Sequence, residues 1–236
     1  MERAGGEVVA LKKPTGDMYP FVDWIWNPIS GRCLHNCSYC YVKRIAKRFK
    51  YEQANPHIVE AELRANLGHG NTIFVCSGCD LFARDIPDLW IKTVIGYAHS
   101  FKNNYLFQTK NPERFTSPLF ELSAARDILC TTLETNYFIP EVMNLSPPPE
   151  LRSIAMGKMA DAGFQIMITV EPIIDFHLRE FLFFIKRVKP IQVNIGADSG
   201  HNGLPEPPAE KIRELISRLK TFTRVVEKNN LRRIIA

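Results

Sequence analysis

Apolar residues along the chain alternate between two rhythms. One is a short, nearly continuous apolar run, found at 21–26, 71–77, 104–109, 128–133, 165–170 and 191–195. These runs are rich in β-branched and aromatic side chains and bounded by Gly, Pro or Asn, which predicts strands. The other rhythm is helical. Residues 87–100 place Ile91, Val94, Ile95 and Ala98 on one stripe, entered through Pro87, a residue suited to a first turn. Residues 149–162, 176–188 and 206–219 follow the same pattern, with Gly163 and Pro190 closing the first two and Pro207-Pro208 opening the third. Helix is also expected at 41–50 and 58–67, interrupted by Asn55-Pro56, and a last strand at 222–226.

Strands that alternate with helices join through right-handed crossovers into a mostly parallel sheet. Strands apolar on both faces fit a sheet covered on both sides. The expected class is therefore α/β. No linker divides the chain. The expected organisation is an N-terminal arm at 1–20 and one core domain at 21–236 that includes a C-terminal extension. The longest irregular stretch is 136–149, which ends in three consecutive prolines. In parallel α/β folds the chemistry gathers at the C-terminal strand ends. Here those ends carry Ser77-Gly78, Thr109-Lys110, Glu134 with Asn136, Glu171, and Gly196-Ala197-Asp198.

The loop after the first strand holds Cys33, Cys37 and Cys40, separated by three residues and then two. Thiolates so close in sequence suit an iron–sulfur cluster, zinc or copper(I). A structural zinc would need a fourth protein ligand, for which His35 and Cys76 are the candidates. Cys79 lies at the rim and is a candidate hydrogen-atom donor or substrate thiol. Cys76 and Cys130 read as core residues. Six cysteines in 236 residues are too few for a disulfide scaffold, and their clustering points to a reducing compartment. The N-terminus has no apolar core of a signal peptide, and no apolar run approaches the ~20 residues of a membrane span. The expected location is the cytoplasm, with no membrane partner. The net charge of +5 is mild, but basic residues cluster at 43–50 and 218–233. Such runs are commonly solvated faces; the sharper alternative is a phosphate-binding surface.

The Cys-x3-Cys-x2-Cys spacing after a first strand, with Tyr39 before the last cysteine, resembles the radical S-adenosylmethionine (SAM) superfamily. The wider string at 27–41 is similar to the branch that includes spore photoproduct lyase and phage-associated relatives, although Arg32 stands where that branch tends to carry glycine. The resemblance implies a partial (β/α)6 radical-SAM barrel. It implies a 4Fe-4S cluster on Cys33, Cys37 and Cys40 whose open iron binds S-adenosyl-L-methionine, which is cleaved reductively to a 5′-deoxyadenosyl radical. It further implies that Ser77 and Gly78 meet the methionine end of SAM, that Lys110 pairs with its carboxylate, and that Glu134 and Asn136 read its ribose and amino group. Tyr39 and Glu171 are expected beside the cofactor, and Gly196 against the adenine. An external one-electron reductant of the flavodoxin or ferredoxin type would be required. The substrate is open, with a nucleic acid or nucleotide favoured. The alternative is a zinc- or cluster-stabilised nucleic-acid-binding module without catalysis.

Overall fold

The computed structural model describes residues 10–16, 18–50 and 52–236. Part of the expected N-terminal arm, residues 1–9 and 17, lies outside them.

In chain order the elements are β1 (Trp24–Trp26), β2 (Ile29–Ser30), α1 (Tyr41–Phe49), β3 (His57–Ile58), β4 (Thr72–Val75), α2 (Asp88–His99), β5 (Asn104–Thr109) and β6 (Asp127–Thr132). There follow α3 (Pro140–Met143), α4 (Pro149–Asp161), β7 (Gln165–Val170), α5 (Leu178–Val188), β8 (Gln192–Ile195), α6 (Ala209–Leu219), β9 (Arg224–Glu227) and α7 (Arg232–Ile235). Seven strands form one sheet in the order β1-β4-β5-β6-β7-β8-β9, every pair parallel. The fold is the expected mostly parallel α/β partial barrel, with the candidate last strand present as β9. Among the described residues, no helix is long and apolar enough to cross a membrane.

The two-residue alternation of a strand sorts its side chains between two packed faces. Val75, Phe107, Leu129, Ile168, Val170, Val193 and Ile195 belong to the larger core. Helices α2, α5 and α6 cover that side with Ile91, Phe181 and Leu215. Burying one such side chain stabilises the fold by roughly 1.5–3 kcal/mol. Phe74, Leu106, Cys130 and Met167 form the second core on the inner side of the sheet. Tyr19 and Val22 fill the base of that side. The first predicted strand is shorter than its apolar run for this reason: Val22 belongs to the inner core, and pairing with β4 begins at Trp24.

The helix expected at 58–67 is absent. Ile58 and His57 pair antiparallel with Ile29 and Ser30, and only Glu62–Arg64 makes a short 3-10 turn. Trp26 Nε1 donates to Glu62 O at 3.0 Å, and Tyr97 of α2 donates to Ala65 O at 2.8 Å. Backbone groups in this stretch serve partners distant in sequence, which a helix would have consumed internally. Gly31 is required at the crossing. Its φ is +111°, and a Cβ there would lie 2.5 Å from Asn55 O.

Candidate functional site

A cavity of about 600 Å³ opens at the C-terminal ends of the strands. Cys33, Cys37 and Cys40 all line it. The loop that carries them is held by its backbone. Asn36 adopts the left-handed conformation with φ +56°, as Asn tolerates in tight turns. Lys43 Nζ donates to Asn36 O at 2.7 Å and to Cys37 O at 3.0 Å, so one basic residue of α1 serves the loop rather than solvent. Ser38 N donates to Val142 O, and Leu145 N to His35 O, tying the loop to the segment before α4. Cys40 occupies the N-cap of α1 without making a side-chain cap bond.

Both candidates for a fourth zinc ligand are engaged or sheltered. His35 is buried and its Nε2 donates to Asp80 Oδ2 at 2.9 Å. Cys76 is buried, and burial pushes its thiol well up from the usual range. Among the described residues, no group of three or more His, Cys, Asp or Glu side chains is gathered to hold a metal ion. Three soft donors on one short loop line one cavity, which is the ligand chemistry of an iron–sulfur cluster. Burial, and then the charge of Asp80, push the Cys33 thiol up to about 12.

Tyr39, Ser77, Gly78, Lys110 and Glu171 line the same cavity. Lys110 Nζ stands 5.4 Å from the centre of the Tyr39 ring. Burial opposes its charge, but Cys37 and Glu134 outweigh that, and the ammonium is held above its ordinary value. The Tyr39 phenol donates to Glu134 Oε1, and Arg152 Nη1 donates to Glu134 Oε2 at 2.7 Å. Burial works against the Glu134 carboxylate, yet Arg152 and then Lys110 hold it below its usual range. Glu171 accepts from Lys228 Nζ at 2.5 Å and from Asn230 Nδ2 at 2.9 Å. Cys79 is buried and also lines the cavity, its thiol raised by burial and then by Cys33.

Three expected contacts fall elsewhere. Glu134 is wholly buried behind Tyr39 and does not line the cavity. Asn136 lies outside it: Nδ2 donates to Glu180 Oε2 at 2.9 Å, and Oδ1 accepts from His177 N at 2.8 Å. The expectation that Glu134 and Asn136 share a face assumed that the strand continued, but β6 ends at Thr132. Gly196 does not line the cavity either; it makes room for Glu171, whose Oε1 would lie 2.7 Å from a Cβ at 196. Asp198 accepts from Gly200 N at 3.1 Å and from Asn202 N at 2.5 Å, so it organises its own turn.

Several cavity residues had no expected role. Tyr19 donates to Gln108 Oε1 at 2.8 Å on the inner side. Thr169 is buried and lines the cavity, and its hydroxyl has no hydrogen-bond partner. Gln108 and Thr169 are polar side chains at inner positions of otherwise apolar strands, a signal available from the two-residue alternation. Lys228, at the end of β9, had no such signal.

The same fold is found in solved structures of low sequence identity. Spore photoproduct lyase superposes with a TM-score of 0.59 at 10% identity, over 92% of this chain and 80% of that one. Its complex with AdoMet and a dinucleoside spore photoproduct gives 0.55 at 12%, over 88% of this chain and 64% of that one. Streptococcus suis SuiB bound to S-adenosylmethionine gives 0.52 at 13%, over 86% of this chain and 46% of that one. The chain thus spans less than two thirds of the length of either ligand-bound protein. No curated protein matches it. Residues 18–145 match the family described as "Protein of unknown function (DUF5131)", and the chain belongs to that family.

Proposed function

We propose that the protein is a radical SAM enzyme that acts on a nucleic acid or nucleotide. The observation that carries the enzyme reading is the convergence of Cys33, Cys37, Cys40 and the Lys110 ammonium on one cavity at the C-terminal rim of a parallel partial barrel. Cys33, Cys37 and Cys40 would hold a 4Fe-4S cluster. Bound there, that cluster supplies one electron for reductive cleavage of SAM to a 5′-deoxyadenosyl radical, drawn from an external low-potential donor of the flavodoxin or ferredoxin type.

The chain's own residues bind, orient and shield. Lys110 offers a compact cation to the SAM carboxylate. Gly78 leaves room for the methionine end, since nothing lies within 4 Å of a Cβ built on it, while the Ser77 carbonyl beside it accepts from the Tyr41 hydroxyl at 2.7 Å. Tyr39, fixed by Glu134, walls the cavity beside Lys110. Tyr19, Phe74 and the inner core close its floor and exclude water from the reacting centre. One core at 21–236 would carry the whole reaction, in a reducing, cytoplasmic setting.

The substrate reading rests on α1 at the mouth. Arg44 and Ile45 line the opening, Lys47 and Arg48 are exposed beside them, and Phe49 is 67% exposed. Cations interleaved with an exposed aromatic suit a strand with phosphates and stackable bases.

The test is anaerobic reconstitution with iron and sulfide, then incubation with dithionite, SAM and a panel of oligonucleotides. A brown protein that releases 5′-deoxyadenosine supports the reading. A colourless protein with one tightly bound zinc and no SAM cleavage overturns it. Oligonucleotide affinity that does not fall with added salt overturns the substrate part alone.

A further inference from the structure

The stretch expected to be irregular, 136–149, contains the short helix α3 and the first residue of α4, and it lies against the cysteine loop. We propose that Ser146 donates a hydrogen bond to the Cys37 sulfur and raises the reduction potential of the cluster; this rests on the cluster reading above. Ser146 Oγ lies 3.3 Å from Cys37 Sγ, and both residues are buried. With a free thiol either atom can donate. Once Cys37 is a thiolate ligand, the hydroxyl holds the only proton between them. Met143 O, 4.0 Å from the same sulfur, is a carbonyl and cannot take over.

Backbone bonds hold the segment that carries this hydroxyl against the cysteine loop. Ser146 N donates to Met143 O at 3.1 Å, and Leu145 N to His35 O at 3.1 Å. Ser38 N donates to Val142 O at 2.9 Å from the other side. Pro147, Pro148 and Pro149 then carry the chain straight into α4, each with its φ fixed by its ring. Three residues into α4, Arg152 anchors Tyr39 through Glu134. The cysteine loop and its donor are thus clamped at both ends. Among the described residues, Ser146 supplies the only hydroxyl bonded to any of the three cysteine sulfurs.

A hydrogen bond withdraws electron density from a thiolate and favours the state with one more negative charge. Hydrogen bonding to the sulfurs is one of the levers that set cluster potentials. Reduction here moves one electron from the donor to the cluster and makes or breaks no bond. Deleting the hydroxyl therefore leaves a cluster that is harder to reduce.

The experiment compares reconstituted wild type, Ser146→Ala and Ser146→Thr by redox titration with dithionite, read by EPR of the reduced state, alongside iron and sulfide content. The expected result is equal cluster content, a more negative midpoint for Ser146→Ala, and a midpoint near wild type for Ser146→Thr. An unshifted Ser146→Ala, or an equal shift in both variants, overturns the inference. Should Ser146→Ala lose its cluster, ENDOR of the wild type in H2O and D2O decides instead. A strongly coupled exchangeable proton that Ser146→Thr retains supports the bond, and its absence overturns it. A wild type that takes up no cluster defeats the functional reading itself, which is a different outcome from a cluster with an unmoved potential.

Discussion

Arg152 and Glu134 form a fully buried ion pair, Nη1 to Oε2 at 2.7 Å, immediately behind the tyrosine of the cysteine loop. Arg152 also donates to Pro147 O and Thr132 O, while its Nη2 has no partner. The arginine thus has no spare interaction to fall back on. Replacing one member of a buried pair leaves an uncompensated charge and costs about 3–5 kcal/mol. Glu134→Gln should lose stability of that order in a urea titration, and the Tyr39 side of the loop should loosen with it. The folded carboxylate titrates below its ordinary value, so its contribution is complete above about pH 4.3 and is lost as pH falls through the folded value. Wild type should therefore destabilise more steeply than Glu134→Gln below about pH 4. Matching acid profiles would contradict the pairing.

Lys110 stands in the cavity over Tyr39 with no ion-pair partner among the described residues. Lys110→Met should weaken SAM binding roughly 10- to 100-fold, the worth of a charge-assisted hydrogen bond. Calorimetry on the reconstituted protein measures it. An unchanged Kd would remove Lys110 from the SAM site.

Gly196 has no space for a methyl group, since Glu171 fills the volume. Gly196→Ala should cost about 1–3 kcal/mol by overpacking. It should also displace the Glu171 carboxylate from Lys228. Thermal unfolding reports the first effect. If Gly196 packed against adenine instead, the alanine would weaken SAM binding at unchanged stability.

Cys33, Cys37 and Cys40 should separate from Cys130 in their effect on iron uptake. Serine at Cys33, Cys37 or Cys40 should abolish iron uptake and SAM cleavage together. Cys130→Ala should leave iron content unchanged, because its side chain lies wholly in the inner core. Iron and sulfide assays on the four variants decide this. A serine variant that still cleaves SAM, or an iron-free Cys130→Ala, would contradict the assignment.

How far the sequence was legible depended on how local the determining forces are. Strands β5 and β7 span 104–109 and 165–170, as their apolar runs indicate. Their ends are fixed by neighbouring residues. The stretch 58–67 was misread because its partners, Ile29, Trp26 and Tyr97, are remote in sequence. Nothing local announces that β6 ends at Thr132, so the direction of the Asn136 side chain, which bonds Glu180 and His177, depends on the fold. Arg152 reads as an ordinary basic residue on a helix; only the fold shows it buried against Glu134. Ser146 was visible merely as part of an irregular stretch. The convergence of Cys33, Cys37 and Cys40 on one cavity is local, because the three thiols lie within eight consecutive residues.

The last residue along the chain to line the cavity is Lys228, just beyond β9. Its side chain reaches Glu171 and stands over Tyr19. During translation the cysteine loop emerges well before Lys228, the last residue to complete the cavity lining. A chain that stalled before Lys228 would carry all three thiols of the loop but lack the cation that pairs with Glu171 across the cavity.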